Sequence, residues 1–353
     1  MPLIEISAFV GKPAQLSIAS GLLHALHGGT RRWTGVCSAM ERVHALPEGK
    51  GESTYALRIV PALWLLSQRR NHRIFQHQSV PEIAERLLAE WNIERLFRID
   101  PGLYPKLEYR VQYGETDLAF LSRMLEEAGI AYTFAEDDEK GSVLVLNDAP
   151  HAAPSRGGIW HEDEPTRVAE KEFVTAVRVA EEVRPGALVI RDFDFRRFDI
   201  PLFGAATKAP APEDRYEQYH YLPGAFLVEQ PQPTSTPVAD DKAVARHSAA
   251  AGAALAERRL LSERASRRRV TLQTNVIDLL PGVVFSIENY PGREVEGKSL
   301  LAVEFAIEGT PVSAAMFTVG VGEDGATSIK VEPAKVTITT KDATITLDGE
   351  HHA

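Results

Sequence analysis

The chain has 353 residues, of which 44% are hydrophobic and 25% are charged, and its formal net charge at pH 7 is -10. This composition is typical of a globular protein with two or three structural units. The acidic balance argues against the clustered basic surface that binds nucleic acid, so we expect no nucleic-acid partner. Cys37 is the only cysteine, which excludes an intrachain disulfide framework.

The N-terminal sequence "MPLIEISAFVGKPAQLSI" lacks a basic leader followed by an apolar core. Nowhere does the chain carry the run of roughly 18 apolar residues that predicts a membrane-spanning helix. We therefore expect cytoplasmic synthesis and no cleaved signal peptide.

Residues 1–76 are rich in strand patterns. The stretches "PAQLSI", "TGVCSAMERVHAL" and "STYALRIVPALWLL" carry alternating or continuous apolar runs, and Gly-rich or charged loops separate them. Such runs are typical of a β-barrel or a β-sandwich. The first unit is therefore predicted to be β-rich.

Residues 77–165 are predicted to form an α+β module that opens with a helix. Ser79 and Glu82 have the spacing of a capping box, and Pro81 suits a first helical turn. Apolar residues then recur every four positions on one face, at Ile83, Leu87 and Trp91.

A second helix is predicted inside "YRVQYGETDLAFLSRMLEEAGIAYTF". Thr116 can cap it, Asp117 favours its positive end, and Gly129 can terminate it. The expected buried stripe is Leu118, Leu121, Leu125 and Ala128. Strands with one apolar face are predicted on both sides, with apolar positions Tyr109, Val111 and Tyr113 before the helix and Ile130, Tyr132 and Phe134 after it.

Residues 166–315 return to strand patterns, as in "FVTAVRVAEEV" and "GALVIRDFDFRRFDIPLFG". The Pro-rich stretch 208–237 contains too many helix and strand breakers for one regular element and is predicted to be a long surface loop. The Ala-, Leu-, Glu- and Arg-rich stretch that follows predicts a long helix over about 239–268, with acids at its start and bases at its end.

Residues 316–353 carry a short repeat. The apolar pairs Ile329/Val331, Val336/Ile338 and Ile345/Leu347 alternate with polar residues. A lone ribbon of this kind cannot bury its apolar edge. A frayed terminal strand is one interpretation, and the preferred one is a strand of an intertwined β-prism made by several chains, in which the ribbon does not pair with its own protomer.

Several residues are of types that can carry chemistry. His161 lies in "WHEDEP" with Glu162, Asp163 and Glu164, but an irregular acidic stretch without helical H-E-x-x-H spacing favours a solvated loop. His72, His77 and His220 lack ligand-spaced partners, and His351 and His352 are poor evidence for a metal site.

Two further features favour structural roles. Cys37 is predicted within a strand, as a small core residue and not as a reactive thiolate. Arg267, Arg268 and Arg269 are expected at a helix end, where they complement the helix dipole. No nucleophile elbow, Walker loop or dinucleotide fingerprint is present. We predict no catalytic, cofactor-binding or metal-binding residues, no cofactor, and no enzymatic activity.

Four segments in this order resemble the VgrG family, the trimeric spike proteins of type VI secretion systems, which are related to contractile-phage tail hubs. They are "WLLSQRRNHRIFQHQSVPEIAERLLAEWNI", "YRVQYGETDLAFLSRMLEEAGIAYTF", "RDFDFRRFDIPL" and "ERRLLSERASRRRVTLQTNVIDLLPGVVFSI". The second is the most specific, with a tyrosine-flanked strand followed by E-x-D-L-x-F-x-S-R and E-x-G-I.

The resemblance implies a mainly β fold in which residues 1–76 and 166–315 are tube-type β-barrel domains, 77–165 is the inserted α+β module, and 316–353 is a needle-like β-prism segment. It implies a homotrimer seated on a hexameric, Hcp-like tube protein. Its other implied partners are a PAAR-repeat tip protein, effectors and baseplate components. Such a protein would assemble in the cytoplasm and be secreted by contraction.

The chain departs from the family pattern at two places. Family members usually carry further residues before the first barrel, and an oligosaccharide-binding-type barrel normally follows the position of "AIEGT". Two alternatives to a type VI spike remain: the baseplate hub of a contractile phage tail or extracellular injection particle, and a hydrolase with an unrecognised site, which would need a pocket of convergent titratable groups.

Overall fold

The computed structural model describes residues 5–19, 30–45, 54–163, 171–195, 198, 201–228, 247–308, 316–321, 327–332, 335–340 and 343–348. From residue 316 onward it describes the backbone alone. Helices within these ranges are α1 (Val80–Glu90), α2 (Asp117–Ala128) and α3 (Ala249–Arg264). None of the helices in the described ranges has the length and apolar character needed to cross a membrane.

The described part of the chain is mainly β. Its strands are β1 (Pro13–Ala19), β2 (Thr30–His44), β3 (Thr54–Val60), β4 (Arg70–Gln78), β5 (Arg95–Arg98), β6 (Leu107–Thr116), β7 (Ala131–Asp137), β8 (Gly141–Asn147), β9 (Ser155–His161), β10 (Phe173–Glu181), β11 (Ala187–Asp192), β12 (Leu202–Ala205), β13 (Glu217–Tyr221), β14 (Arg268–Thr274), β15 (Val284–Glu288), β16 (Leu300–Leu301), β17 (Met316–Val321), β18 (Thr327–Glu332), β19 (Lys335–Thr340) and β20 (Ala343–Asp348).

These strands form five sheets. Their orders are β20-β19-β18-β17-β1-β2-β3, β14-β10-β9-β15-β16, β12-β11-β13, β4-β6 and β5-β8-β7. The orders of the described strands are linear, so the closed tube-type barrels implied by the resemblance stay a prediction. The predicted division at residue 76 falls inside β4, which pairs with β6, and β9 pairs with β10 and β15 although the sequence placed it in the α+β module.

The α+β module is built as its local signals predict. The Ser79 amide donates to Glu82 Oε2 at 2.7 Å and the Glu82 amide donates back to Ser79 Oγ at 3.4 Å, which completes the capping box of α1. Thr116 caps α2 by accepting from the Ala119 amide, and Gly129 ends α2 with φ +71°. The cap positions of both helices are therefore confirmed.

Helices α1 and α2 pack together over one core. Leu121, Leu125 and Ala128 are buried as predicted, and Leu118 is half-buried. The predicted stripe omitted Phe120 and Met124, which are more completely buried, and Phe120 stacks on Phe75 of β4 with ring centroids 5.3 Å apart. Burial of each large apolar side chain contributes about 1.5–3 kcal/mol, so this core carries much of the module's stability.

The apolar face predicted for β6 is wrong. Tyr109 and Tyr113 are exposed, whereas Gln112, on the opposite side of the strand, is fully buried. Tyr132 of β7 is exposed too, although Ile130 before the strand is buried. The helices cover the face that contains Gln112, so the packing partner and not the alternation decides which face is buried.

Two predictions between residues 208 and 268 need correction. The predicted loop 208–237 contains β13, which pairs in parallel with β11, and residues 229–237 lie outside the described part of the chain. The predicted helix over about 239–268 is observed as α3, which begins after its cap Ser248 and ends at Arg264. Residue Arg268 already belongs to β14.

The C-terminal segment pairs with its own protomer. Strand β17 lies antiparallel to β1, and β18, β19 and β20 follow as an antiparallel meander. The expectation that this ribbon has no partner in its own chain is therefore wrong, because the edge of β1 accepts it, and the β-prism made by several chains stays a prediction. The β19–β20 and β18–β19 registers align the repeated apolar positions, pairing Ile329 with Ile338 and Ile338 with Ile345.

Candidate functional site

The stretch "WHEDEP" is predicted to be a solvated loop, and at His161 this prediction is wrong. His161 ends β9, is buried, and meets the Tyr290 ring edge-on with centroids 5.0 Å apart. Its Nε2 lies 3.5 Å from Oδ1 of the exposed Asp163. Glu164 lies outside the described residues, and the residues that are described contain no group of three potential metal ligands.

The other histidines are dispersed. His72 and His77 both belong to β4, where His72 is exposed and meets Tyr113 edge-on. His220 lies half-buried in β13, opposite Ile190, and not in the loop that was predicted. His351 and His352 lie outside the described residues.

Cys37 is completely buried in β2 beside Phe9, Ala14 and Met40, as the sequence predicts for a core residue. Burial raises the pKa of its thiol because the thiolate would lose hydration. A neutral, enclosed thiol is a poor nucleophile, so its environment fits a packing role.

The basic run at Arg267 to Arg269 does not end a helix. Arg267 and Arg264 both donate to Glu213, with Arg264 Nη2 2.7 Å and Arg267 Nε 3.2 Å from Oε2, and Arg268 of β14 pairs with Glu181 of β10. The interpretation as helix-dipole complementation is therefore wrong. Hydrogen bonds, the largest from Arg264, hold the pKa of the Glu213 carboxyl below its usual value.

A buried polar network lies at the start of α2. Asp117 is fully buried and accepts from Arg69 Nε at 2.6 Å, Trp91 Nε1 at 3.1 Å and Gln112 Nε2 at 2.8 Å. The guanidinium of Arg69 also stands over the Trp91 ring and pairs with Glu90. Every partner of the carboxylate in this network is a donor, which is how a buried charge is stabilised, and we assign the network to structure.

The surface that is left without a structural explanation is the outer face of the β12-β11-β13 sheet. It carries or borders six exposed aromatic residues, which we call the aromatic surface: Phe193, Phe195, Phe198, Phe203, Tyr219 and Tyr221. Register places Phe203 and Tyr221 on opposite sides of Arg191, whose guanidinium lies 4.8 Å from the Phe203 ring centroid. Large exposed apolar patches are rare in monomeric proteins, so these exposed aromatic residues mark a candidate interaction surface.

Acidic residues are held inward behind the aromatic surface. Along "RDFDF", Phe193 and Phe195 face out, whereas Asp192 is half-buried and Asp194 is buried. Asp192 Oδ2 accepts from the Gly224 amide at 2.8 Å, and Asp194 Oδ2 lies 3.4 Å from Nε2 of the buried His247.

This arrangement inverts the usual rule that apolar residues face in and acids face out. The two Asp residues are turned inward, and Phe193 and Phe195, which follow the end of β11, are exposed. Composition and spacing did not identify this surface, although the alternating Asp and Phe of "RDFDF" was the available signal.

The inner face of the same sheet packs against helix α3. Leu188, Ile190 and Leu202 pack on Ala256 and Leu260 of α3. At the crossing of β12 and α3, a Cβ on Gly204 would stand 2.5 Å from the Gly252 carbonyl carbon, so the close approach requires glycine. Helix α3 therefore packs closely behind the sheet, on the side opposite Phe203, Tyr219 and Tyr221.

Comparison with known proteins concerns the chain as a whole. A family model described as the phage tail baseplate hub (GPD) matches residues 2–311. The type VI secretion system spike protein VgrG1a of Pseudomonas aeruginosa is 30% identical over 308 residues, which cover 86% of this chain and 43% of the relative. The chain spans less than half the length of the first curated relatives that it matches.

Two solved structures share the fold. The E. coli c3393 protein, described as a component of the type VI secretion system with structural similarity to T4 bacteriophage tail proteins gp27 and gp5, superposes with a TM-score of 0.51 at 18% identity, covering 89% of this chain and 70% of that one. A tail protein from Neisseria meningitidis MC58 superposes with a TM-score of 0.50 at 12% identity, covering 94% and 92%. At these identities the likeness concerns the fold alone.

Proposed function

The chain belongs to the phage tail baseplate hub (GPD) family and is related to the VgrG spike proteins of type VI secretion systems, and we propose that it is a structural spike or hub of a type VI secretion apparatus. Three copies assemble around one axis and seat on a hexameric tube protein. The distal end carries a tip protein or effectors. The spike is assembled in the cytoplasm and driven into a target cell envelope by contraction.

The observation that carries this proposal is the family match over residues 2–311, and the aromatic surface supports the step of assembly. An assembly protein needs exposed apolar area that becomes buried on association, held on a rigid support. The inward Asp192 and Asp194 and the packing of α3 against the sheet provide that support. We propose that assembly of the hub covers this surface.

The proposed work is mechanical and not chemical. Two polar clusters among the described residues support this: Asp117 is surrounded by donors, and Glu213 is paired with two guanidinium groups. The thrust would come from a contracting sheath, and this protein would transmit it.

A baseplate hub of a contractile phage tail or injection particle is a second candidate. It is favoured by the description of the matching family, a phage tail baseplate hub. Co-purification with a sheath and tube from a phage particle, instead of with a type VI tube, would select it.

The mass of the purified chain tests the proposal. Light scattering should give three times the 38.9 kDa chain mass, and removal of residues 326–353 should lower the stability of the trimer. A full chain that stays monomeric at all accessible concentrations contradicts the proposal. A truncated chain that stays fully trimeric shows that the upstream sheets suffice for assembly.

The aromatic surface is tested separately. Phe195→Ser combined with Phe198→Ser should weaken trimer formation or binding to the purified tube protein by at least ~10-fold, since loss of two anchoring aromatic residues costs at least about 1.4 kcal/mol. Leu103→Ser, at an isolated exposed residue, is the control and should leave both unchanged. Unchanged assembly in the double variant would remove the surface from the proposal.

A further inference from the structure

A strand-like segment without a strand partner follows β16. Residues 303–308 read "VEFAIE", so that Val303, Phe305 and Ile307 alternate with Glu304, Ala306 and Glu308. All six are exposed, and Val303 retains 75% of its accessible surface. No strand pairing or backbone hydrogen bond from this segment occurs within the described residues.

This alternation is that of a strand with one apolar face. Among the described residues, nothing covers either face of this segment, and its backbone groups have no protein partner there. An extended apolar strand with free backbone groups is a template for pairing with another chain.

The other edge of the same sheet offers a matching strand. In β14, Val270 and Leu272 pack on the core of this sheet, whereas Arg269 and Thr271 face outward and are exposed. On β10, Arg178 stands opposite Thr271 and is also exposed. Neither Arg178 nor Arg269 has a carboxylate partner in the part of the chain that the structure describes, and neither Glu304 nor Glu308 has a basic one there.

We propose that residues 303–308 of one copy add as an extra strand to the β14 edge of a second copy. Its Val303, Phe305 and Ile307 then continue the apolar side formed by Val270 and Leu272. Because side chains alternate along both strands, Glu304 and Glu308 fall on the side of Arg269 and Arg178.

Within the described residues this segment does not pair with β14 of its own chain, so the proposal assigns the pairing to a second copy. Strands β14 and β16 are the opposite edges of one sheet, with β10, β9 and β15 between them. At the usual strand spacing, four intervals separate these edges by about 19 Å. In this contact each copy uses two different surfaces, one for the copy before it and one for the copy after it. Repetition of such a contact closes a ring when the rotation between neighbouring copies permits. This inference deepens the proposed assembly and rests on it only for the requirement that several copies meet.

Disulfide trapping tests the contact. Ala306→Cys is combined with Thr271→Cys, or with Gln273→Cys to allow for a shift of two residues in register. Paired strand positions lie within disulfide reach. The only native cysteine, Cys37, is buried.

Mild oxidation of the full chain should give covalently linked dimers and higher species in one of the two variants. Thr271→Cys with Ala89→Cys, on the exposed side of α1, is the control and should stay unlinked.

Charge reversal provides an independent measurement. Glu304→Arg should weaken association by at least ~10-fold, because the new arginine would lie on the same side as Arg269 and Arg178 of the second copy and be repelled by them. Arg269→Glu in the same chain should restore at least part of the loss, since the variant again pairs opposite charges. Both positions are exposed, so folding, checked by circular dichroism, should be unchanged.

The outcomes separate the two proposals. A trimer by mass that neither cysteine pair can link overturns the strand addition and leaves the proposed function standing. A monomer overturns both. Cross-linking of Ala306→Cys to the tube protein instead of to a second copy also overturns the inference, since it identifies a different occupant.

Discussion

Thr34 of β2 and Ser142 of β8 exchange reciprocal hydrogen bonds. The Thr34 amide donates to Ser142 Oγ at 2.9 Å, and the Ser142 amide donates to Thr34 Oγ1 at 2.7 Å. Next to them Arg31 and Arg32 pair with Glu136 of β7. These contacts join residues more than a hundred positions apart and dock the first sheet on the α+β module.

Removal of one hydroxyl from this pair should loosen the docking. Thr34→Val keeps the shape of the side chain but leaves the Ser142 amide without its acceptor, which costs about 1–3 kcal/mol in the free energy of unfolding. Urea unfolding measures the loss. Ser7→Ala, at an exposed hydroxyl that bonds only to Glu5, is the control and should stay within about 0.5 kcal/mol of the parent. Equal losses in both variants would mean that the reciprocal pair contributes nothing.

The buried Asp117 should be far more sensitive than an exposed aspartate. Asp117→Ala removes the acceptor shared by Arg69, Trp91 and Gln112, and a buried network broken in this way loses about 3–5 kcal/mol. Asp138→Ala is the matched change at a fully exposed carboxylate and should cost less than about 1 kcal/mol. Denaturant unfolding of both variants measures the difference, and comparable losses would refute the assignment of the network to structure.

Gly129 has both a left-handed backbone conformation and a close side-chain neighbour, whereas Gly297 has the left-handed conformation alone. The φ of Gly129 is +71°, and a Cβ there would stand 2.6 Å from Arg258 Cδ, whereas Gly297 has φ +63° and open space around it. Both Gly→Ala variants bear a backbone strain of about 1–2 kcal/mol.

Gly129→Ala should lose further stability, because Arg258 Nε donates to the Glu127 carbonyl at 3.0 Å and must shift. Thermal unfolding of the two variants measures the excess. Equal melting temperatures would show that Arg258 yields without cost.

Glu213 should make stability depend on pH. Its folded pKa lies below the ordinary value of 4.5, chiefly because of the hydrogen bond from Arg264. The carboxylate therefore stabilises the fold above that value, and this contribution is lost as pH falls through the folded pKa. Glu213→Gln should have a lower free energy of unfolding near pH 7 and a shallower decline below about pH 4.5. Parallel pH profiles for the parent and the variant would contradict this assignment.

Local signals predicted the α+β module well. The capping box of Ser79 and Glu82, the Thr116 cap and the Gly129 terminator depend on groups three or four residues apart, which the sequence alone brings together. The order of helices and strands around them, and the burial of Cys37 in a strand, followed from the same short-range patterns. The four family-like segments predicted the family to which the chain belongs.

Tertiary structure decided which faces are buried and where the polar groups point. Alternation divides a strand into two faces but does not select one, so Tyr113 faces water while Gln112 is enclosed by the helices. Asp194 is buried with its Oδ2 3.4 Å from Nε2 of His247, a residue more than fifty positions away, and the Phe residues beside it are exposed. Likewise, the open edge of β1 and not the apolar repeat of the C-terminal ribbon decides where that ribbon pairs, because backbone groups bond to whichever edge the fold brings near them.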